Sequence, residues 1–334
     1  ETPFPGYTFS DTIGNAALRW EKTRAFNAGV DLGLWNNRVT ATIDFYRTRT
    51  TDLLIDRLLP PTSGVSRTFQ NIGATVNTGL DIGVNVAVIK KTDMNFNAGL
   101  TFYTNRERIT DLLNGVDDVA NEWFIGYPVR VSYDYRKIGI WQLADSTEAI
   151  ANKQLPGDIR VHDKDGKGIS SSDREVLGQL VPKWNASLNL DFRYKQWDMN
   201  VFLFARYGQT IEYAYNGRVH LPGRENGAVV NYWTLENPSN DFPRPRTTSS
   251  FAALLYSSTL QYVDGSFLKI RAITLGYTLP RTFTSRFGVS GLRLYATGRN
   301  LFTFSKVDDY DVERGGSLIN PMTKLVVWGV SINL

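Results

Sequence analysis

Between Leu80 and Phe102 the chain reads LDIGVNVAVIKKTDMNFNAGLTF, with Leu80, Ile82, Val84, Val86 and Val88 alternating with Asp81, Gly83, Asn85 and Ala87. After the polar break at Lys91–Asp93 the alternation resumes, with Met94, Phe96, Ala98, Leu100 and Phe102 against Asn95, Asn97, Gly99 and Thr101. Period two on both sides of a short break predicts a β-hairpin with one apolar and one polar face. The same pattern flanks WNNR, where Phe26, Ala28, Val30, Leu32 and Leu34 lead in and Val39, Ala41, Ile43 and Phe45 lead out. It flanks Lys195-Gln196 as well, between Trp184–Phe192 and Trp197–Ala205. SFLKIRAITLGYTLP, LRLYATGRNLFTF and KLVVWGVSINL predict further strands near the C-terminus. In the first of these the apolar phase moves from Leu268 and Ile270 to Ile273 and Leu275, as a β-bulge requires.

The pattern gives about ten strands of roughly ten residues, longer than the usual five or six and close to the nine to eleven that cross a bilayer. Their connections alternate in length. Those at Asn36, Lys91 and Gln196 are tight, Arg281 to Gly291 is intermediate, and those beginning near Thr48, Asp111, Gln209 and Ser305 are long. Short turns at one rim and long loops at the other describe an outer-membrane β-barrel. The apolar faces of the three clearest hairpins carry no Asp, Glu, Lys or Arg. The opposite faces hold Asp31, Asp44, Asp81, Asp191 and Arg193 among Asn, Thr and Gly, which suits a wet lumen. Trp35, Phe45, Phe102, Trp184, Tyr194, Trp197 and Tyr207 collect at strand ends, where interfacial aromatics belong. A soluble β-sandwich also alternates apolar and polar faces, but strand length and loop asymmetry favour apolar faces turned to lipid.

Composition narrows the classes further. The chain has 334 residues, 42% hydrophobic and 13% aromatic, and no run approaches the roughly 18–20 apolar residues of a spanning helix. A net charge of +4 spread over 37 basic and 33 acidic residues gives no nucleic-acid-binding surface. The lack of cysteine excludes disulfides and thiolate chemistry. The opening ETPFPGYTFSD has no initiator Met or signal-like segment, so the expectation is that Glu1 follows a removed signal or lies inside a longer protein.

Trp20-Glu21-Lys22-Thr23, Gly29-Val30-Asp31 and Asp44-Phe45-Tyr46 resemble the SusC/RagA family of TonB-linked outer-membrane transporters of Bacteroidetes. The resemblance continues in NIGATVNTGLDIGV, in PGDIRVHDKDGKGISSSDREVLGQLVPKW, in LKIRAITLGYTLP and in LRLYATGRNLFTFSK. These blocks resemble the C-terminal part of such a transporter. The resemblance implies that residues 1–334 are part of an antiparallel transmembrane barrel of about 22 strands, with the plug domain and first strands lying outside this sequence. Sheet edges ending in lipid leave backbone groups unsatisfied, so the physics also expects further strands. The family's work, as the resemblance implies, is import of oligosaccharides or peptides with a SusD-like surface lipoprotein, powered by TonB through the plug, and without covalent catalysis. The alternative is a self-contained ten-stranded barrel acting as an enzyme or passive pore.

Two kinds of site stand out. HDKDGKGISSSD resembles a calcium loop, with Asp163, Asp165 and Asp173 as oxygen ligands and Gly168 at the turn. Lys167 occupies a place where a further acidic ligand is expected, and the loop is one residue short, so Ca²⁺ is expected to bind weakly or not at all. The alternative is a polar glycine turn whose aspartates Lys167 neutralises. In the long loops, Trp123, Trp141, Tyr232 and Trp233 lie beside Asn, Asp and Arg and are the candidates for stacking on sugars or gripping peptides. For any single one of these rings, packing of the loops against one another is the favoured alternative. The two histidines, His162 and His220, fall in loops without an evident catalytic acid.

Overall fold

The computed structural model describes residues 11–213, 216, 229–245, 255–307, 311–315, 320 and 322–333. Nine strands form one sheet: β1 (Lys22–Leu34), β2 (Val39–Thr51), β3 (Ala74–Lys90), β4 (Met94–Asp111), β5 (Trp184–Tyr194), β6 (Trp197–Tyr207), β7 (Phe267–Thr278), β8 (Gly291–Ser305) and β9 (Leu325–Asn333). Their order across the sheet is chain order reversed, so each strand neighbours the one before and after it in sequence. Pairing from β4 to β9 is antiparallel throughout. The sequence predicts about ten strands; nine lie in this sheet, with β1 and β9 at its two ends. The fold is all-β.

The turn chemistry follows from the residues. Trp35, Asn36 and Asn37 all adopt positive φ, at 53°, 57° and 60°. Two of the three are asparagines, which tolerate that region best. Lys195, at φ 51°, turns β5 into β6. The intermediate connection between β7 and β8 carries a short helix at Arg281–Thr284 and a 3-10 turn at Ser285–Phe287.

The chain divides into two compact units. The first comprises Glu1–Gly29, Asp44–Leu80 and Asn105–Val129. In it Leu54–Leu58 and Arg67–Asn71 pair antiparallel as a hairpin between β2 and β3, with Thr12–Ile13 added in parallel. Ile109, Leu112 and Phe124 are buried there.

The second unit comprises Val30–Ile43, Asp81–Thr104 and Arg130–Leu334. Its register places Leu100, Leu188, Leu203 and Ile270 in one row, and Phe96, Phe192, Met199 and Leu275 in another. This apolar face is bare: Leu100, Leu275, Phe302 and Val330 are 42%, 48%, 52% and 59% exposed. So continuous an apolar surface is not tolerated in water, and lipid is the solvent it fits. Trp184 stacks on Tyr207 at 5.3 Å and meets Phe102 at 5.9 Å at one end of the band, and Trp197 meets Tyr277 at 4.7 Å at the other. Trp184 and Tyr194 bound the 11-residue β5. At about 3.3 Å per residue and a tilt of about 40°, β5 rises roughly 25 Å, the height of an outer-membrane apolar band.

The expected bulge is present. Ile270 pairs with Leu203 and Ala272 with Phe202, which leaves Arg271 as the extra residue. The same irregularity recurs against β8, where Asn300 takes φ 53°.

Candidate functional site

The face opposite the apolar band is a hydrogen-bonded polar wall. Asn200 donates through Nδ2 to Asn189 Oδ1 at 2.9 Å and to Asp191 Oδ1 at 2.6 Å, and Asn189 donates to Asp191 Oδ2 at 2.6 Å. One row further along, Arg293 on β8 reaches across β7 to grip Asp198 on β6 with two bonds, Nε at 2.9 Å and Nη2 at 2.5 Å. The strand between them carries Gly276, where a Cβ would lie 2.5 Å from Arg293 Nη2 and 2.6 Å from Asp198. Glycine is required there so that the ion pair can lie flat on the wall. Tyr295 covers Gly329 of β9 in the same manner, its ring 2.2 Å from where a Cβ would stand.

Toward the start of β7 the wall is covered. Lys269 is fully buried and bonds both Asp311 and, at 3.0 Å, Glu313; Arg271 completes the set by pairing with Glu313. The bulge contributes by turning Arg271 to this side, where its guanidinium lies 3.9 Å from the Phe204 ring centroid. Val312, fully buried, packs with Phe204, Ile211, Tyr213, Phe267 and Val307. The Val312–Arg314 turn of the β8–β9 connection is thereby pinned onto the polar side of the sheet. Sequence reasoning missed this network. Its signal was present in Lys269 and Arg271, two residues apart on the polar side of an otherwise apolar strand, with DVER downstream.

The predicted aromatic residues separate into two groups. Trp141 is 3% exposed, donates through Nε1 to Gln154 Oε1 at 2.9 Å, and is covered by the Arg160 guanidinium at 4.2 Å. Trp233 is 6% exposed, donates to Gln142 Oε1 at 2.9 Å, and packs with Ile140, Ile159, Val161 and Leu260. Both are packing residues of the loops of the second unit, and their ring faces are closed to a ligand. Tyr232 is 44% exposed. Trp123 belongs to the first unit, half-buried in the wall of a cavity of about 420 Å³.

Asp163, Asp165 and Asp173 are brought together, each with a carboxylate oxygen within 4.8 Å of the others. The loop also satisfies itself. Gly166 and Gly168 donate their N–H groups to Asp163 at 2.7 and 2.9 Å, and Lys164 and Ser170 donate theirs to Asp173 at 2.9 and 2.7 Å. These bonds hold both carboxyls below the ordinary carboxylate range, led by the Gly168 N–H at Asp163 and the Ser170 N–H at Asp173. Gly166 and Gly168 supply the positive φ, 70° and 95°, that lets the backbone curl around Asp163. Asp163 Oδ1, Asp163 Oδ2 and Asp173 Oδ1 each keep a lone pair for a hard cation, while Asp173 Oδ2 also accepts the Ser170 hydroxyl at 3.1 Å. Lys167, 3.6 Å from Asp165, weakens the attraction.

His162 lies beside this loop, 3.2 Å from Glu175. Glu175 is itself gripped twice by Arg136, at 2.8 and 2.7 Å. Burial pushes the Glu175 carboxyl up, but the Arg136 and His162 bonds outweigh it and the net displacement is downward. A carboxylate so occupied is a structural ion-pair partner. His220 lies outside the described residues.

The comparisons agree with this geometry. The family model described as "TonB dependent receptor-like, beta-barrel" matches residues 2–301. TonB-dependent receptor P3 of Formosa agariphila is 31% identical over 319 residues, covering 90% of this chain and 31% of that protein. TonB-dependent receptor SusC of Bacteroides thetaiotaomicron is 26% identical, covering 98% of this chain and 34% of that protein. Among solved structures, the RagAB peptide importer in its "open-open" state matches with TM-score 0.78 and 26% identity over 98% of this chain and 36% of that chain. The RagAB peptide transporter matches with TM-score 0.75 and 27% identity, over 96% and 36%. The chain spans about a third of the length of the curated relatives it matches. With the family model covering most of its length, a lipid-fitted apolar band and a polar inner wall, this chain belongs to the TonB-dependent receptor-like β-barrel family.

Proposed function

We propose that this chain is a wall-and-loop portion of an outer-membrane importer that takes up oligosaccharides or peptides with energy delivered through TonB. The observation that carries the proposal is the pairing of a bare apolar band with a hydrogen-bonded polar wall on the same strands, which divides lipid from lumen. Membership of a family whose barrels reside in the outer membrane supports it. No helix among the described residues is long and apolar enough to cross a membrane. The partners in this proposal are a SusD-like lipoprotein at the long loops and TonB acting through a plug supplied by the rest of the same protein. The likeness to a peptide importer supports the peptide class, and the oligosaccharide class rests on the family resemblance of the sequence. The role is transport, without a covalent step.

The test is growth on a single glycan or peptide source, in strains carrying or lacking the gene for the full-length protein, with and without TonB. Growth that needs both is expected. Uptake that persists without TonB would point instead to a passive pore.

A further inference from the structure

We propose that the cavity at Trp123 receives an aliphatic peptide side chain flanked by positive charge, which makes basic, apolar peptides the ligand class. This rests on the importer proposal above and chooses between its two ligand classes. The cavity, about 420 Å³, is built within the first unit at the strand ends opposite the tight turns. That volume accommodates a small group such as a side chain or two. Its walls are Ile55, Ile72, Leu112, Val116 and Val119, closed by Trp123. Val116 and Val119 are 64% and 53% exposed, so they hold apolar surface at the mouth without serving a core. A sugar hydroxyl turned to the aliphatic walls finds no hydrogen-bond partner there, whereas a Leu or Ile side chain gains from every methylene it buries against them.

The charge at the mouth selects further. Asp56, Asp117 and Asp118 line the cavity against a single Arg57, which is bonded to Gln70. Asp117 accepts the Ile125 N–H, and Asp118 is held by Asn121. They are fixed in place, with lone pairs left for a cation. Asp56 pairs with Arg67 through one oxygen at 2.7 Å, while the other, Oδ1, is buried without a hydrogen-bond partner. An unsatisfied buried carboxylate oxygen is costly, and positive charge held in the cavity offsets part of that cost through space. The Trp123 backbone is clasped to Asp118 by reciprocal bonds of 2.9 Å. The ring is thus placed by its own loop, where it can meet both an alkyl chain and a cation.

The experiment uses the full-length protein with its lipoprotein partner in detergent, and dansylated Gly-Leu-Lys-Leu-Gly and Gly-Leu-Glu-Leu-Gly as probes. The lysine peptide is expected to bind at least about tenfold tighter, equivalent to about 1.4 kcal/mol. Val119→Arg, an exposed position, is expected to abolish that advantage while heat-modifiable gel migration stays normal. Equal affinity for the two peptides, indifference to Val119→Arg, or displacement by maltohexaose overturns the proposal. So does a Val119→Arg effect confined to lipoprotein association, since the cavity then serves the partner. TonB-dependent growth on glycan without peptide binding overturns this proposal and leaves the importer standing. Binding of the lysine peptide without any TonB-dependent uptake does the reverse.

Discussion

Replacing Lys269 with methionine should release the β8–β9 connection from the sheet without unfolding the strands. Methionine conserves most of the volume, so the change removes charge and little packing. Lys269 is fully buried, and its partners Asp311 and Glu313 have side chains only 11% and 15% exposed. Glu313 keeps Arg271 in the variant, whereas Asp311 loses its bridging cation and is left as a buried, uncompensated carboxylate. Breaking a buried pair by removing one partner costs about 3–5 kcal/mol. At a factor of ten per 1.4 kcal/mol, the undocked population of the Val312–Arg314 turn rises roughly a hundredfold to a few thousandfold. Strand pairing does not depend on this contact, so barrel folding by heat-modifiable migration should be unchanged.

The assay is hydrogen exchange at the Gly315 amide, which bonds Val312 O at 3.0 Å only while the turn is formed. The double variant Lys269→Met, Asp311→Asn supplies the control. With both charges gone and the acceptor for the Glu313 N–H kept (2.9 Å with Asp311), most of the protection returns, because the unpaired buried charge is what destabilises the single variant. Unchanged exchange in the single variant, or a double variant as unprotected as the single, would refute the reasoning. The apolar cluster around Val312 would then be sufficient to hold the turn.

Leu188→Arg or Val84→Arg should impair assembly far more than Asn189→Arg or Asn85→Arg, because mid-membrane arginine costs about 2–4 kcal/mol on the lipid face alone; equal tolerance on heat-modifiable gels would mean a different register. If Asn36, Lys91 and Gln196 face the periplasm and the loops near Asp165 and Trp233 face outward, Asp165→Cys should react with an impermeant thiol reagent on intact cells and Lys91→Cys should not. The reverse labelling pattern would invert the topology. Calcium should bind the Asp163 loop weakly, and Lys167→Asp should raise affinity by calorimetry, since affinity follows ligand charge; a tight wild-type site would show that other oxygens complete the shell. Because Asp163 and Asp173 have depressed folded-state values, their contribution is present above the ordinary aspartate range and is lost only as pH falls through the lower folded values. Exchange at the Gly168 amide should therefore stay protected at pH 5, and loss of protection above that pH would contradict the bonding described.

What could be read from the sequence is what repeats every two residues. Alternation identifies a strand, its faces and its turns without knowledge of any partner, which is why the WNNR turn, the three hairpins and the phase slip at Leu268–Leu275 all appear where the pattern puts them. The slip shows how far such reasoning reaches. It locates the bulge, but it does not reveal that the displaced Arg271 reaches Glu313, 42 residues further on. That contact depends on a connection folding back over the sheet, and no local period encodes it. Aromatic residues in loops have the same limitation. Trp141 and Trp123 are indistinguishable in sequence, each a tryptophan near acids and amides. Gln154 and Arg160 close one ring into the interior, while the other borders a cavity. The Asp163 loop lies between these cases: its spacing brings three carboxylates together, and its two glycines let the backbone occupy them. Ligand affinity there is therefore a competition between cation and N–H donors that spacing alone does not decide.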